Sequence, residues 1–296
     1  MRIGKKFVQS AGTFLFTRFA NSLPKKSAEQ IDAMGRRYGN LLFKWVKSRR
    51  KSALENLRTA FGDTKTEAEI EKIARESFVS ITSSMLDFCW ARDKSDEEID
   101  RMVEAENMEV FDRVLADGKG FLLLTAHYGN WEMMARKIVA RGYKLSVIAR
   151  NSEDKNMRVA VNGIRENSGY HVFPKNESMS GPVKALRRNE VLGILPDQNT
   201  IDGVFVNFFG KRAKTATGPA VFHLKFGAPI VPCFTVKTGP GKYKMMCGEP
   251  LKYTPCGDYD KDVHDLTQLA NDALEHQIRL MPQHWLWMHK RWKTQD

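Results

Sequence analysis

Cysteine is scarce in this 296-residue chain, and its four copies, Cys89, Cys233, Cys247 and Cys256, form neither a CxxC pair nor a Cys/His zinc pattern. That argues against a disulfide framework and for a reduced, cytosol-facing protein. Low-complexity tracts and internal repeats are absent. Acidic residues are thin at one end: residues 1–51 hold thirteen Lys or Arg against only Glu29 and Asp32, a net of +11 within a whole-chain charge of +12. Long apolar runs are missing as well. The longest uncharged run of this arm, Phe7 to Thr17, is 11 residues, well short of the roughly 20 needed to span a bilayer. No small-residue cleavage pattern marks a signal peptide.

The basic arm suits a polyanionic surface, either nucleic acid or an anionic leaflet. Interleaved with its charges are Phe7, Phe14, Leu15, Phe16, Phe19, Leu41, Leu42, Phe43, Trp45 and Val46. Basic residues among aromatics read as an amphipathic helix lying in a membrane interface; a helix packed on the domain with its charges in water is the plainer alternative. The organisation expected is a membrane-associating helical arm over 1–51, a helical segment over 52–118 packed on the catalytic domain, and an α/β core over 119–296. The sequence Lys26-Ser27-Ala28-Glu29-Gln30 offers a helix start, with an acceptor three residues after Ser27. Residues 64–91 read as a long amphipathic helix and 107–116 as a short one, so everything before 119 is expected to be helical.

From 119 the texture becomes alternating strands and helices. Strands are expected over 121–126, 145–150, 170–173, 191–195, 230–236 and 243–247. Helices are expected over 131–141, 157–168, 182–188, 218–226 and 260–280. Strands spaced by helices imply an α/β fold with a mixed, mostly parallel sheet flanked by helices. Ligands in such sheets lie beyond the carboxyl ends of strands, where both His127 and Asp197 fall.

The apolar run 120–124 leads straight into 125-TAHYGNWE-132. A metal site is not expected, because this stretch lacks the paired histidines of HExxH and has no near neighbour to complete three ligands. A His at a polar helix start with an outward Glu is the bland reading. Acid–base catalysis is the sharper one: a neutral imidazole can take a proton from an alcohol near neutral pH, and a carboxylate on its other ring nitrogen fixes the tautomer. Five residues of ideal helix is about 500°, so His127 and Glu132 align only if His127 sits in a turn. Gly129 permits such a turn, and the backbone amides of Gly129 and Asn130 are candidate oxyanion donors.

The motif His127-x-x-x-x-Glu132 resembles the HxxxxD/E motif of glycerolipid acyltransferases, and the form HYGNWE resembles the bacterial lipid A late acyltransferase (lauroyl/myristoyl acyltransferase) family. Further matches follow in the family's order. They are Arg150, Asn156 and Arg165; Lys184, Leu186 and Glu190; Pro196-Asp197-Gln198; Gly203-Val204-Phe205-Val206; Phe208-Phe209-Gly210; Ala213, Thr215, Thr217 and Gly218; and the tail 285-WLWMHKRWK-293. Together they cover residues 120–293. Asn151 departs from the family, which has Pro there.

The resemblance implies a glycerolipid acyltransferase-like fold and a membrane-associated O-acyltransferase. The donor it implies is acyl carrier protein, or acyl-CoA. The acceptor it implies is an anionic glycolipid, a lipid A precursor in a late step of lipid A biosynthesis. It further implies a peripheral place on the cytoplasmic face of the bacterial inner membrane. No cofactor is implied. His127 would deprotonate the acceptor hydroxyl and Glu132 would hold His127. Arg150, Asn156, Arg165, Asp197, Gln198 and Thr217 are the expected substrate-binding residues. Each has a plainer alternative: Arg165 a solvated helix residue, Asp197 a loop cap, Thr215 and Thr217 helix caps. Trp285 and Trp287 are either core or, with Lys290, Arg291 and Lys293, headgroup-level residues. Other activities stay open: transfer to a lysophospholipid or another glycolipid, or lipid binding without catalysis. A basic nucleic-acid-binding protein is disfavoured, because no zinc finger, RNP-like stretch or basic recognition helix is visible.

Overall fold

The computed structural model describes residues 17–149, 155–175 and 179–294, with the side chains of 155–157 excepted. Arg150, Asn151 and the first sixteen residues of the basic arm lie outside the described residues; so does the side chain of Asn156. After helical residues 17–22 and a short 3-10 turn, Leu23–Lys25, come helices α1 (Ala28–Trp45), α2 (Lys47–Phe61), α3 (Glu67–Trp90) and α4 (Asp96–Met102). After these come β1 (Val103–Glu106), α5 (Val110–Leu115), β2 (Phe121–Leu124), α6 (Trp131–Ala140), β3 (Leu145–Ala149), α7 (Lys155–Asn167), β4 (His171–Pro174) and α8 (Ser180–Arg187). The chain continues through β5 (Val191–Ile194), β6 (Val204–Phe208), β7 (Lys211–Thr215), α9 (Gly218–Phe226), β8 (Ile230–Gly239), β9 (Lys242–Cys247) and α10 (Tyr259–Leu280).

Local chemistry starts the early helices. Ser27 with Gln30, Thr66 with Glu69 and Ser95 with Glu98 each form a capping box before α1, α3 and α4, satisfying amides that the first turn leaves unpaired. Seven strands form one sheet in the order β1-β9-β8-β2-β5-β3-β4. Every neighbouring pair is parallel except the β8–β9 hairpin. This is the mixed, mostly parallel sheet expected, with helices on both faces. The strand alternation divides the core: Leu122, Leu124, Leu192 and Ile194 join the apolar cluster that includes α2, α9 and α10, while Phe121, Leu123 and Val191 join the one that includes α5 and α6. Successive side chains of a strand point to opposite faces, which is why these strands are apolar at every position.

One expectation needs correction. The region before 119 is not wholly helical, because Val103–Glu106 forms an edge strand parallel to β9. Its partner lies some 140 residues on, so no local pattern announces it. The stretch from Val204 to Thr215 is an antiparallel hairpin, β6–β7, separate from the main sheet. Phe209 takes φ +54° and Gly210 φ +74° at its tip.

Candidate active site

Strands β2 and β5 lie side by side in parallel, with Leu124 opposite Ile194. Three residues beyond that pair on each strand stand His127 and Asp197, so the register alone brings them together. His127 Nδ1 is 2.8 Å from Asp197 Oδ1, and the His127 main-chain N–H donates to Asp197 Oδ2 at 2.9 Å. The indole N–H of Trp285 donates to the same Oδ2 at 2.9 Å. Asp197 is 1% exposed whereas the His127 side chain is 25% exposed. Burial pushes the Asp197 carboxyl up, but the charge and hydrogen bonds of His127 and the indole of Trp285 outweigh it and hold it at about 2. An ionised Asp197 accepts from Nδ1–H, so Nε2 is left as the ring's acceptor. His127 lines a cavity of about 370 Å³ together with Trp131, Glu132, Arg165 and Gln198 and apolar residues such as Leu195. The side-chain amide of Gln198 is 3.3 Å from His127 Nε2.

The turn after β2 is pinned from three sides. Gly129 N–H donates to His284 O at 2.8 Å, Asn130 N–H to Thr235 O at 2.8 Å, and Leu286 N–H to His127 O at 3.0 Å. The hydroxyl of Ser84 on α3 donates to Gly129 O at 2.5 Å. Gly129 has φ +52°, and a Cβ there would stand 2.0 Å from Thr235 O. The amides of Gly129 and Asn130 therefore are not oxyanion donors in this geometry, contrary to expectation. Each has one proton, and a carbonyl already holds it. The Asn130 side chain instead caps α6, accepting from Met133 N, and donates to the buried Asp87 at 3.3 Å.

Glu132 also differs from expectation. On the first turn of α6, 3% exposed, it takes Arg165 Nη2 at 2.5 Å, Arg165 Nε at 3.3 Å, Tyr170 OH at 2.5 Å and the Trp131 indole at 3.2 Å. The carboxylate on His127 is that of Asp197, and Glu132 binds Arg165 in the wall of the same cavity. Burial works against the Arg165 charge, but Glu132 outweighs it and keeps the guanidinium protonated. Thr217 precedes α9 without a side-chain capping bond, and it is its neighbour Ala216 that lines the cavity. Thr215 lies in β7 and accepts from the buried Arg291. Trp285 and Trp287 are core, 1% and 0% exposed, so the headgroup alternative for them falls. Sequence reasoning missed Trp131, Tyr170, Lys175 and Asp87. Trp131 lay within the quoted motif, and nothing in the sequence pattern singled out the other three.

Known proteins resemble this chain in sequence along most of its length. The profile described as bacterial lipid A biosynthesis acyltransferase matches residues 2–294. The lipid A biosynthesis lauroyltransferase of Escherichia coli K12 is 27% identical over 267 residues, 89% of this chain and 85% of that protein. The lipid A biosynthesis palmitoleoyltransferase of the same strain is 23% identical over 265 residues, 88% and 84%. A phosphatidylinositol mannoside acyltransferase of Mycobacterium tuberculosis H37Rv is 26% identical over 200 residues, 66% and 61%. The protein is an acyltransferase. The chain belongs to the bacterial lipid A biosynthesis acyltransferase family.

Proposed function

We infer that the protein moves a fatty acyl chain from the thioester of an acyl carrier protein, or of acyl-CoA, to a hydroxyl of a lipid A precursor. The observation that carries the mechanism is the His127–Asp197 pair, with His127 lining a cavity of about 370 Å³ that is part polar and part apolar. Nε2 takes the acceptor's hydroxyl proton as the oxygen attacks the thioester carbonyl. Asp197, ionised and immobile, stabilises the imidazolium that forms. The tetrahedral oxyanion accepts from the Gln198 side-chain amide, the polar donor beside Nε2. Collapse breaks the C–S bond, and the departing thiolate takes the proton back from His127. The acyl ester and free thiol leave with no net proton change. Arg165, oriented by Glu132, and Lys175 supply positive charge for a phosphate of either substrate.

Among the described residues no helix is long and apolar enough to cross a membrane, which agrees with peripheral binding of the basic arm to the cytoplasmic leaflet of the bacterial inner membrane. The likeness to a mannoside acyltransferase keeps a second glycolipid acceptor in view. The test is transfer in detergent micelles from acyl carrier protein loaded with mixed chain lengths to a tetra-acylated, phosphorylated lipid A precursor. A mass gain of one acyl group in wild type, lost by at least about a thousandfold in His127→Ala, is the expected result. Equal rates in the two proteins would overturn the mechanism. A gain on mannosyl or lysophospholipid acceptors alone would reassign the substrate.

A further inference from the structure

Helix α1 buries Ile31, Gly35, Gly39 and Phe43 and leaves its opposite side open. There Leu41 is 42% exposed, Leu42 44% and Trp45 75%. Leu41 and Trp45 are one turn apart and share a face. Arg37, one turn before Leu41, joins Lys44, Arg50 of α2 and Arg75 of α3 around a cavity of about 410 Å³ that also includes Phe43. The Phe43 ring holds two of the guanidiniums near each other: Arg75 lies 4.6 Å and Arg50 5.5 Å from its centroid. Arg75 has an acidic partner, Glu71 at 3.5 Å. Among the described residues no ion pair joins Arg37, Lys44 or Arg50 to a carboxylate.

Converging cations without matching acids repel one another until an anion enters, and guanidinium forks match phosphate oxygens. A lone phosphate ion would account for the charges and leave the indole and two leucines unexplained. In a protein interface an apolar centre lies inside a polar rim. Here charges from α1, α2 and α3 border the exposed apolar residues of α1, the layout expected where a helix lies at the headgroup boundary. We propose that this face is a lipid-docking site, in which the phosphate of an anionic phospholipid sits among Arg37, Lys44, Arg50 and Arg75 while Leu41, Leu42 and Trp45 enter the bilayer surface. It rests on the membrane-surface reading above and gives that surface a defined site. Helix α3 carries Arg75 and, nine residues on, Ser84 against the catalytic turn. Nine helical residues span roughly 13 Å, so one rigid element joins the docking site to that turn.

Flotation tests this, using phosphatidylcholine vesicles with and without about 30% phosphatidylglycerol, near the charge of an anionic leaflet. Arg37→Ala/Arg50→Ala is compared with Lys51→Ala/Lys72→Ala, which removes the same charge from the same stretch of helices but outside the cavity. Arg37→Ala alone covers the case in which losing Arg50 disturbs Phe43, and Trp45→Ala tests the apolar part. Wild type should float with the anionic vesicles. The cavity double variant should lose about thirtyfold in partitioning, several times more than the control pair, and Trp45→Ala should weaken binding even to neutral vesicles. All variants should transfer acyl chains in detergent micelles at wild-type rates. Equal losses in the two double variants would mean diffuse charge and no site, and would overturn the proposal. So would intact flotation in the cavity variant, or a loss of affinity for the acidic carrier protein in place of vesicles. Wild-type transfer in micelles reports separately on the functional reading, so the two can fail independently.

Discussion

Asp197 keeps its charge where water scarcely reaches it, because three N–H groups converge on its two oxygens. That arrangement holds His127 in one tautomer and one orientation, with Nδ1 committed to Asp197. Asp197→Asn keeps the shape but removes the charge and lets an amide choose its own hydrogen bonds. We expect kcat to fall by about 10²–10⁴ with KM little changed, measured in the micelle assay. Glu132→Gln should behave differently. It strips the buried Arg165 of its carboxylate, and breaking such a pair costs about 3 kcal/mol of stability, visible as an earlier denaturant midpoint. If Glu132 served His127 directly, Glu132→Gln would lower kcat and leave the midpoint in place. The motif His127-x-x-x-x-Glu132 pointed to two residues that line the cavity, and Asp197 was legible as a strand-end residue. Which carboxylate meets the imidazole was not legible, because that depends on a strand register between residues 70 apart. Nor was Tyr170 as a donor to Glu132, since it arrives from a third element.

Among the elements, the turn between β2 and α6 is tied down from several sides. It is held by β8 through Thr235, by the C-terminal segment through His284 and Leu286, and by α3 through Ser84. Gly129→Ala forces either Thr235 or the turn to move, because the new Cβ would meet a carbonyl oxygen and the φ is left-handed. We expect a loss of about 2–4 kcal/mol and a fall in kcat larger than that of an equally destabilising change in α10, since His127 lies two residues away. Chemical denaturation alongside transfer rates checks both halves. The elements that sequence revealed are those whose signal is local: apolar runs such as 121–124, the Ser27 cap, and Gly218–Phe226. Strand β1 has only four residues, and three of its side chains are at least partly exposed. The β6–β7 hairpin turns through Phe209 and Gly210 rather than an Asn-Gly pair, so neither carried a strong local mark.

For the molecule as a whole, acid stability follows from how the C-terminal segment is packed. Residues 282–294 close over the catalytic turn with Trp285, Trp287 and Arg291 fully buried, and they bring His284 and His289 inside. Burial pushes both imidazoles from 6.5 down to about 4. The folded value is thus below the unfolded one, so between about pH 6.5 and 4 the unfolded chain binds protons that the folded chain refuses. Stability is constant with respect to these groups above pH 6.5 and falls as pH drops through that window, by about 1–3 kcal/mol for each histidine. Asp197 has the depressed carboxylate, so its contribution is present above about pH 4 and is lost only on the way down to about 2. The two causes therefore separate on the pH axis. Urea midpoints measured from pH 7.5 to 4.0 should decline mainly below pH 6.5, and His289→Gln should flatten part of that decline because a neutral amide does not titrate. A midpoint that stays level to pH 4 would mean that the C-terminal segment opens to water in solution. The pairing of Trp285 with Asp197, and with it the His127 geometry, would then have to form only when substrate is bound.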